Sequence, residues 1–275
     1  MSLIVVDSEK CHRDGICIEV CPLGLLSPDP EGRPEMRPEV AGRCIGCGHC
    51  VAVCPHAALD NRKNPVSKQT ALPDQHFFDP ARSELFLRSR RSIRRYKDEP
   101  VPREKMLKLL DIARFAPSGH NTQGISYLIV EGAENLARLR QIVIEWMREA
   151  VNHSSGLAKR LNMPAIIHAY ENGEDRILRG APHVIVAHAP ADLVTAPVST
   201  VLCLEYVELH APALGIGTCW AGYTQTCARQ FPALSQFLKI QAERTITGIL
   251  MAGYPRYKYY RLPERNPLDA AWFEA

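Results

Sequence analysis

No stretch of 18 consecutive apolar residues occurs in these 275 residues, so no segment reads as a membrane-spanning helix. The opening Met1-Ser-Leu-Ile-Val-Val lacks a basic region ahead of an apolar core. The expectation is therefore a chain without a secretory signal, working in the cytoplasm. Neither Gly-x-Gly-x-x-Gly nor Gly-x4-Gly-Lys-Ser/Thr is present, which removes motif support for a Rossmann dinucleotide site or a P-loop. Aromatic residues make up only 7% and do not interleave with the basic ones, so nucleic acid is not an expected partner. His183, His188 and His210 are not at metal-ligand spacing, and no Ser-His-Asp arrangement stands out.

What the sequence has is cysteine, concentrated at one end. Seven of the ten fall in the first 54 residues. Four read Cys44-x2-Cys47-x2-Cys50-x3-Cys54-Pro55, the run by which bacterial ferredoxins hold cubane clusters. Three cysteines three apart wrap one cluster, and the fourth sends its sulfur to another. A second copy lies upstream, Cys11-x2-Asp14-x2-Cys17-x3-Cys21-Pro22, with Asp14 in place of a cysteine. Structural zinc sites use two separated Cys/His pairs, not four ligands within eleven residues. Disulfides do not suit a chain of this length without a secretory signal. The duplication predicts that Cys44, Cys47, Cys50 and Cys21 hold one cluster. Cys11, Cys17 and Cys54 would hold the other, with position 14 as the fourth corner. A carboxylate binds cluster iron more weakly than a thiolate. The expected clusters are both [4Fe-4S], Asp14 ligating the corner iron or lying near it. The alternatives are a [3Fe-4S] cluster, or Asp14 as a solvated loop acid.

Hydrophobic residues make up 46% and charged residues 23%, ordinary for a globular protein of one or two domains. Net charge is +3 but unevenly spread. Residues 1–60 carry five Lys/Arg and nine Asp/Glu, a net −4; the remainder carries 28 and 21, a net +7. The acidic part is the cysteine-rich part, and the basic part looks built to hold an anion. The chain reads as α+β in organisation. Residues 1–60 form an iron–sulfur module, 61–82 a polar linker, and 83–275 a mixed helix-and-sheet domain.

Within 1–60, the five prolines from Pro22 to Pro38 predict a loop. In the second domain, helices are predicted over Glu84–Arg91, Pro102–Phe115, Asn135–Val151 and Thr195–Leu214. The last is apolar almost all round, as for a central helix or a subunit interface. Strands are predicted over Ile125–Val130, His183–Ala189, Gly217–Ala221 and Thr245–Ala252. Residues 152–180 are polar and weakly patterned, as for a mobile covering segment, with Trp146, Met147 and Met163 near the substrate pocket.

The densest basic stretch runs Arg88-Ser-Arg90-Arg91-Ser92-Ile93-Arg94-Arg95-Tyr96-Lys97. Guanidinium groups beside a hydroxyl suit a phosphate, and equally a solvated face or a docking patch. Arg90-x-Ser92-x-Arg94 with Tyr96 resembles the opening motif of the nitroreductase family of flavin enzymes. Three further segments fall in that family's order: Ala116-Pro-Ser-Gly-His-Asn121-Thr-Gln123, Gly215-Ile-Gly-Thr-Cys-Trp-Ala221-Gly222-Tyr, and Gly253-Tyr-Pro255 through Arg261-x-Pro263. The resemblance covers roughly 83–267, and the whole chain is similar to ferredoxin–nitroreductase fusions.

The resemblance implies a nitroreductase-like fold that binds FMN. Arg90 and Ser92, with Arg261, would hold its phosphate, Arg91 belonging to the same stretch and Lys258 and Arg265 assisting. Arg94 would face the pyrimidine end of the ring, where a cation stabilises the reduced flavin. Backbone N–H groups around Ala221 and Gly222 would face N5. Pro117, Ser118, Asn121 and Gln123 would contact the flavin, some from a partner, since the family builds this site across a homodimer interface. Ala221 stands where many members carry an acidic residue, which weakens the case for NAD(P)H as donor; the attached clusters offer another route, and the donors in view are a reduced ferredoxin or flavodoxin, or NAD(P)H. The expected function is an oxidoreductase passing single electrons through two clusters to FMN. A nitroaromatic, quinone or enone would then be reduced. The alternative is an electron-transfer or redox-sensing protein serving a protein partner.

Other candidates have plainer readings beside them. Cys219 is either redox-active or a buried filler, and Cys203 and Cys227 read as core. His120 is a candidate proton donor in an otherwise ordinary loop. His12 and His49 lie within cluster loops, tuning potential or facing solvent. Tyr254, Tyr257, Tyr259 and Tyr260 with Lys258 read as packing of the tail.

Overall fold

The computed structural model describes residues 2–75 and 77–274. The chain divides into two compact units. The first comprises residues up to Phe77 together with His120–Thr122, and the second comprises Phe78–Gly119 and Gln123 onward.

In the first unit, β1 (Ile4–Val6) forms one edge, followed by α1 (Ile16–Glu19), β2 (Ser27–Pro28), β3 (Pro34–Glu35), α2 (Pro38–Ala41), α3 (His49–Ala52) and β4 (Leu59–Asn61). Strands β1 and β4 pair antiparallel and join the two ends of the module. The sequence duplication is visible in the backbone. Gly15 and Gly48, 33 residues apart, each enter a short helix at φ 75°, a conformation that suits a residue without Cβ. The proline-rich stretch expected to be plain loop holds a small hairpin, β2 against β3, with Pro28 opposite Pro34. A two-residue edge asks nothing of their missing N–H groups. Residues 61–75, the greater part of the 61–82 segment expected as linker, belong to this unit. Asn61 is buried, Asp60 accepts from the Val66 N–H at 2.8 Å, and Gln69 bonds Asn64. Polar side chains thus fix a segment whose composition suggested freedom.

The second unit begins with α4 (Pro80–Ser89), N-capped by Asp79 through the Arg82 N–H, and α5 (Arg103–Asp111). Then come β5 (Ser126–Glu131), α6 (Ala133–Asn152), α7 (Gly156–Arg160), α8 (Met163–Glu171), β6 (His183–Pro190), α9 (Ala196–His210), β7 (Gly217–Trp220), α10 (Gly222–Gln230), α11 (Pro232–Phe237) and β8 (Arg244–Gly253). The sheet order is β5-β6-β8-β7, each neighbouring pair antiparallel. Successive strand residues point to opposite faces, and both faces are covered by helices. Val184, Val186, Ile249 and Met251 pack toward α6, α8, α10 and α11. Ile185, Ala187, Leu250 and Ala252 pack toward α5 and α9. This two-sided burial explains why β6 and β8 read as nearly unbroken apolar runs.

Helix α9 approaches the sheet closely at Gly248, where a Cβ would stand 2.5 Å from Leu204 and 2.8 Å from Thr200. A bulge at Ala187/His188 leaves Thr247 unpaired in the ladder, and its hydroxyl donates to the Ala187 carbonyl while accepting from Thr200. The opposite face of α9 exposes Val198, Val201, Leu202 and Tyr206. Residues 152–180, expected as a mobile cover, carry α7 and α8 and bury Met163 and Leu178 completely. Helices this short interrupt the periodicity before it can be seen.

Candidate functional site

Two cavities in the first unit gather the cysteine run and its copy. One is lined by Cys21, Cys44, Cys47 and Cys50, with Leu23 and Ile45 beside them. The other is lined by Cys11, Asp14, Cys17 and Cys54, with His12 and His56 beside them. Every residue in the first set stands 33 positions from its counterpart in the second. Backbone donors repeat as well: Leu25 N–H to Cys21 Sγ and Ala58 N–H to Cys54 Sγ, both 3.3 Å. Asn61 Nδ2 approaches Cys44 Sγ at 3.7 Å. All ten cysteines are free of disulfides. Burial, and then the Asp14 carboxylate, push the Cys17 thiol up to about 11. A thiolate there needs a cationic partner, which cluster iron supplies. Sulfurs converging on two cavities, with N–H groups aimed at two of them, fit two iron–sulfur clusters.

The cavities differ chemically. Leu23 and Ile45 give the first apolar walls, whereas the equivalent His12 and His56 stack at 3.7 Å between ring centroids in the second. Asp14 is exposed, and its carboxylate accepts from the Ile16 N–H at 3.2 Å.

In the second unit the basic stretch is sewn to the sheet edge. The Ile93 N–H donates to the Thr218 carbonyl, Lys97 N–H to Tyr254 and Arg256 N–H to Arg95. Buried Tyr96 turns its hydroxyl back to the Ile93 carbonyl at 2.7 Å. Gly217 makes room for this strand: a Cβ there would meet Ile93 at 2.4 Å and Pro255 at 2.9 Å. Gly253 does the same beside Tyr96.

From this strand the arginines diverge. Arg90 turns toward α9, with Glu205 at 3.7 Å and Glu208 at 3.5 Å. Glu208 is 2% exposed and accepts from the Thr218 hydroxyl; burial raises its pKa, against the pull of Arg90. Arg91 lies against the Tyr259 ring and lines an open cavity with Ser89, Glu208, Gly215, Gly217 and Tyr257. Its Nε is buried without a partner. Arg94 lines a different open cavity together with Cys219, Gly222 and Tyr223. Burial pushes the Cys219 thiol up, opposed by Arg94, a Ser92 hydrogen bond and Arg179. Gly222 opens α10, and a Cβ on it would meet nothing within 4 Å. Ala221 is buried, its N–H tied to the Ile249 carbonyl.

The structure therefore brings Arg94, Gly222 and Cys219 onto one cavity and puts Arg91 on another. Pro117 is exposed, and Ser118 Oγ accepts from the Gln123 N–H at 3.1 Å, closing a turn in which His120, Asn121 and Gln123 all have positive φ. The Asn121 amide donates to the Ile45 carbonyl at 3.0 Å, within the first unit. Lys258 and Arg261 lie on the exposed tail, Lys258 over the Tyr260 ring. Sequence reasoning missed Glu208, hidden in an apolar helix. It also missed Arg179, whose segment shows no motif.

Comparison with known proteins gives the fold context. Residues 87–254 match the model of the nitroreductase family, and residues 3–55 match that of the 4Fe-4S dicluster domain. The iodotyrosine deiodinase of Thermotoga neapolitana is 24% identical over 168 residues, 61% of this chain and 86% of that protein. A protein named Ferredoxin 7Fe from Hydrogenibacillus schlegelii is 39% identical over 56 residues, 20% of this chain and 67% of that protein. The crystal structure of a nitroreductase with bound FMN from Desulfitobacterium hafniense superposes with a TM-score of 0.55 at 20% identity, covering 71% of this chain and all of that one. Among the described residues no helix is long and apolar enough to cross a membrane.

Proposed function

The chain belongs to the nitroreductase family and carries a 4Fe-4S dicluster domain, and from that premise we propose a cytoplasmic FMN-dependent oxidoreductase. In this reading two iron–sulfur clusters feed the flavin, and a small electron-poor acceptor (nitroaromatic, quinone or enone) is reduced. The observation that carries it is the folding of the duplicated cysteine runs into two separate sulfur-lined cavities, on a chain whose other unit has the nitroreductase fold. When bound, the clusters supply single electrons and FMN supplies the two-electron reduction of the acceptor.

Cys21, Cys44, Cys47 and Cys50 hold one cluster. Cys11, Cys17 and Cys54 hold the other, with Asp14 at its fourth corner. Arg94 offsets negative charge at the pyrimidine end of the flavin, and Gly222 leaves the approach to it open. Arg90, Ser92 and Arg261 hold the phosphate, and Arg91, whose buried Nε lacks a partner, is a further guanidinium available to it. Arg90 is a positioned charge whose electrostatic reach is reduced by Glu205 and Glu208. The exposed apolar face of α9 supports a homodimer, in which Pro117, Ser118, Asn121 and Gln123 contact the flavin, some of them from the partner subunit, while Lys258 assists at the phosphate. Ala221, lacking a carboxylate, supports a reduced ferredoxin or flavodoxin as donor over NAD(P)H.

The test is turnover by anaerobically purified holoprotein, with reduced ferredoxin, dithionite or NAD(P)H as donor and a nitroaromatic or quinone as acceptor. Acceptor reduction with reduced ferredoxin is expected. No reduction with any donor would sink the proposal and leave the electron-transfer reading.

A further inference from the structure

We propose that Arg179 is a substrate-recognition residue, and that the acceptor carries a carboxylate or similar anionic group which its guanidinium binds. The proposal rests on the flavin-site reading above and adds the chemistry of the molecule that enters beside it.

The first observation is strain. Arg179 has φ 57° and is followed by Gly180 at φ 75°. Two left-handed residues in succession are easy for glycine and costly for arginine. The conformation is held by a dedicated carboxylate. Asp175 accepts from the N–H groups of Ile177 at 3.0 Å, Leu178 at 2.8 Å and Gly180 at 3.0 Å, and Arg140 braces it at 3.6 Å. Ile177 and Leu178 then bury their side chains and anchor the loop. The backbone is thus fixed in a strained turn that presents one long cationic side chain.

The second observation is where that side chain goes. Arg179 lines the same open cavity as Arg94, Cys219, Gly222 and Tyr223. Leu161, Ile177 and Met251 give it apolar walls that suit a planar ring.

The third observation is charge balance. The nearby acids have closer partners: Glu174 pairs with Arg176 at 2.7 Å and feels Arg179 only at longer range, and Asp175 holds its loop and Arg140. Among the described residues neither Arg94 nor Arg179 has a carboxylate within 4.0 Å. Two guanidiniums without a carboxylate at that distance, on one partly apolar cavity, are a site for a planar anion. The flavin has a phosphate, but the cavity lined by Arg91 is a separate candidate for that group. Arg179 is left for the acceptor.

The test is calorimetric binding to the holoprotein, with 4-nitrobenzoate and nitrobenzene as probes and Arg179→Asn as the variant. Asparagine tolerates positive φ, so the turn survives while the charge is removed. Flavin per chain is measured alongside. The wild type should bind 4-nitrobenzoate at least tenfold more tightly than nitrobenzene. Arg179→Asn should erase that preference with flavin content at the wild-type level, and Arg179→Lys should restore part of it. An unchanged preference in Arg179→Asn, or none in the wild type, overturns the proposal. Loss of flavin from Arg179→Asn also overturns it, by assigning the residue to the cofactor. Binding needs no electron donor, so an enzyme that binds the anion but fails in turnover refutes the functional reading and not this one.

Discussion

Glu208 sets two large effects against each other, and a single substitution decides which wins. Its carboxylate is 2% exposed and 3.5 Å from the Arg90 guanidinium, which is itself 26% exposed. At an effective dielectric constant near 20 the attraction is at most about 5 kcal/mol. Removing the carboxylate from water costs several kcal/mol. Burial raises the pKa despite Arg90, so desolvation outweighs pairing. Glu208→Gln keeps the shape and the partner for Thr218 while deleting the charge. It should therefore change stability by less than about 1 kcal/mol at neutral pH, which is under about 4 °C in Tm. Glu208→Ala removes the partner altogether and should cost about 2–4 kcal/mol. The sign with pH follows from linkage. A carboxyl whose folded pKa is raised contributes stability fully present below its unfolded value of 4.5, and that contribution is lost as pH rises through the folded value. The Tm of Glu208→Gln relative to wild type should thus become more favourable as pH rises above 4.5 and through the raised folded value. Thermal unfolding followed by circular dichroism reads both quantities. A loss above about 2 kcal/mol in Glu208→Gln near neutral pH, larger at higher pH, would show that the ion pair dominates and refute the reasoning.

Three further outcomes are expected. Asp14→Cys should complete the second thiolate set and abolish any three-iron EPR signal; an unchanged signal would make Asp14 a loop acid. Replacing His12 with Ile and His56 with Leu, the residues at the equivalent positions of the other cavity, should lower the potential of the Asp14 cluster alone. EPR-monitored redox titration would show this, and equal shifts in both clusters would contradict it. Gly217→Val would drive a side chain into Ile93 and Pro255, so the basic strand should detach and flavin content should fall at least tenfold. Retention of flavin would mean that this strand does not hold it.

The parts legible in the sequence were those with local signals. The spacing of the cysteine runs announces two sulfur-lined cavities, β6 and β8 show as long apolar runs, and α6 is long enough for helical periodicity to show. Helices α10 and α11 were not anticipated, because short segments of small and polar residues carry no clear period. Residues 61–75 read as linker because composition cannot show Asn61 burying itself beside Cys44. Glu208 and Arg179 escaped for a deeper reason: each acquires meaning only from residues that tertiary folding brings near it. The diversion of Arg90 to Glu205 and Glu208 is of the same kind, since its motif position said nothing of the carboxylates on α9.

The most direct test of the account is cofactor stoichiometry of anaerobically purified protein. Iron, acid-labile sulfide and flavin per chain would be measured, followed by an optical reduction titration. About eight iron atoms and one FMN per chain are expected, with clusters and flavin reduced together. About seven iron atoms would place a three-iron cluster at Asp14 and leave the account standing. Full iron with near-zero flavin would contradict it, reducing the chain to a ferredoxin joined to a domain that no longer binds its cofactor.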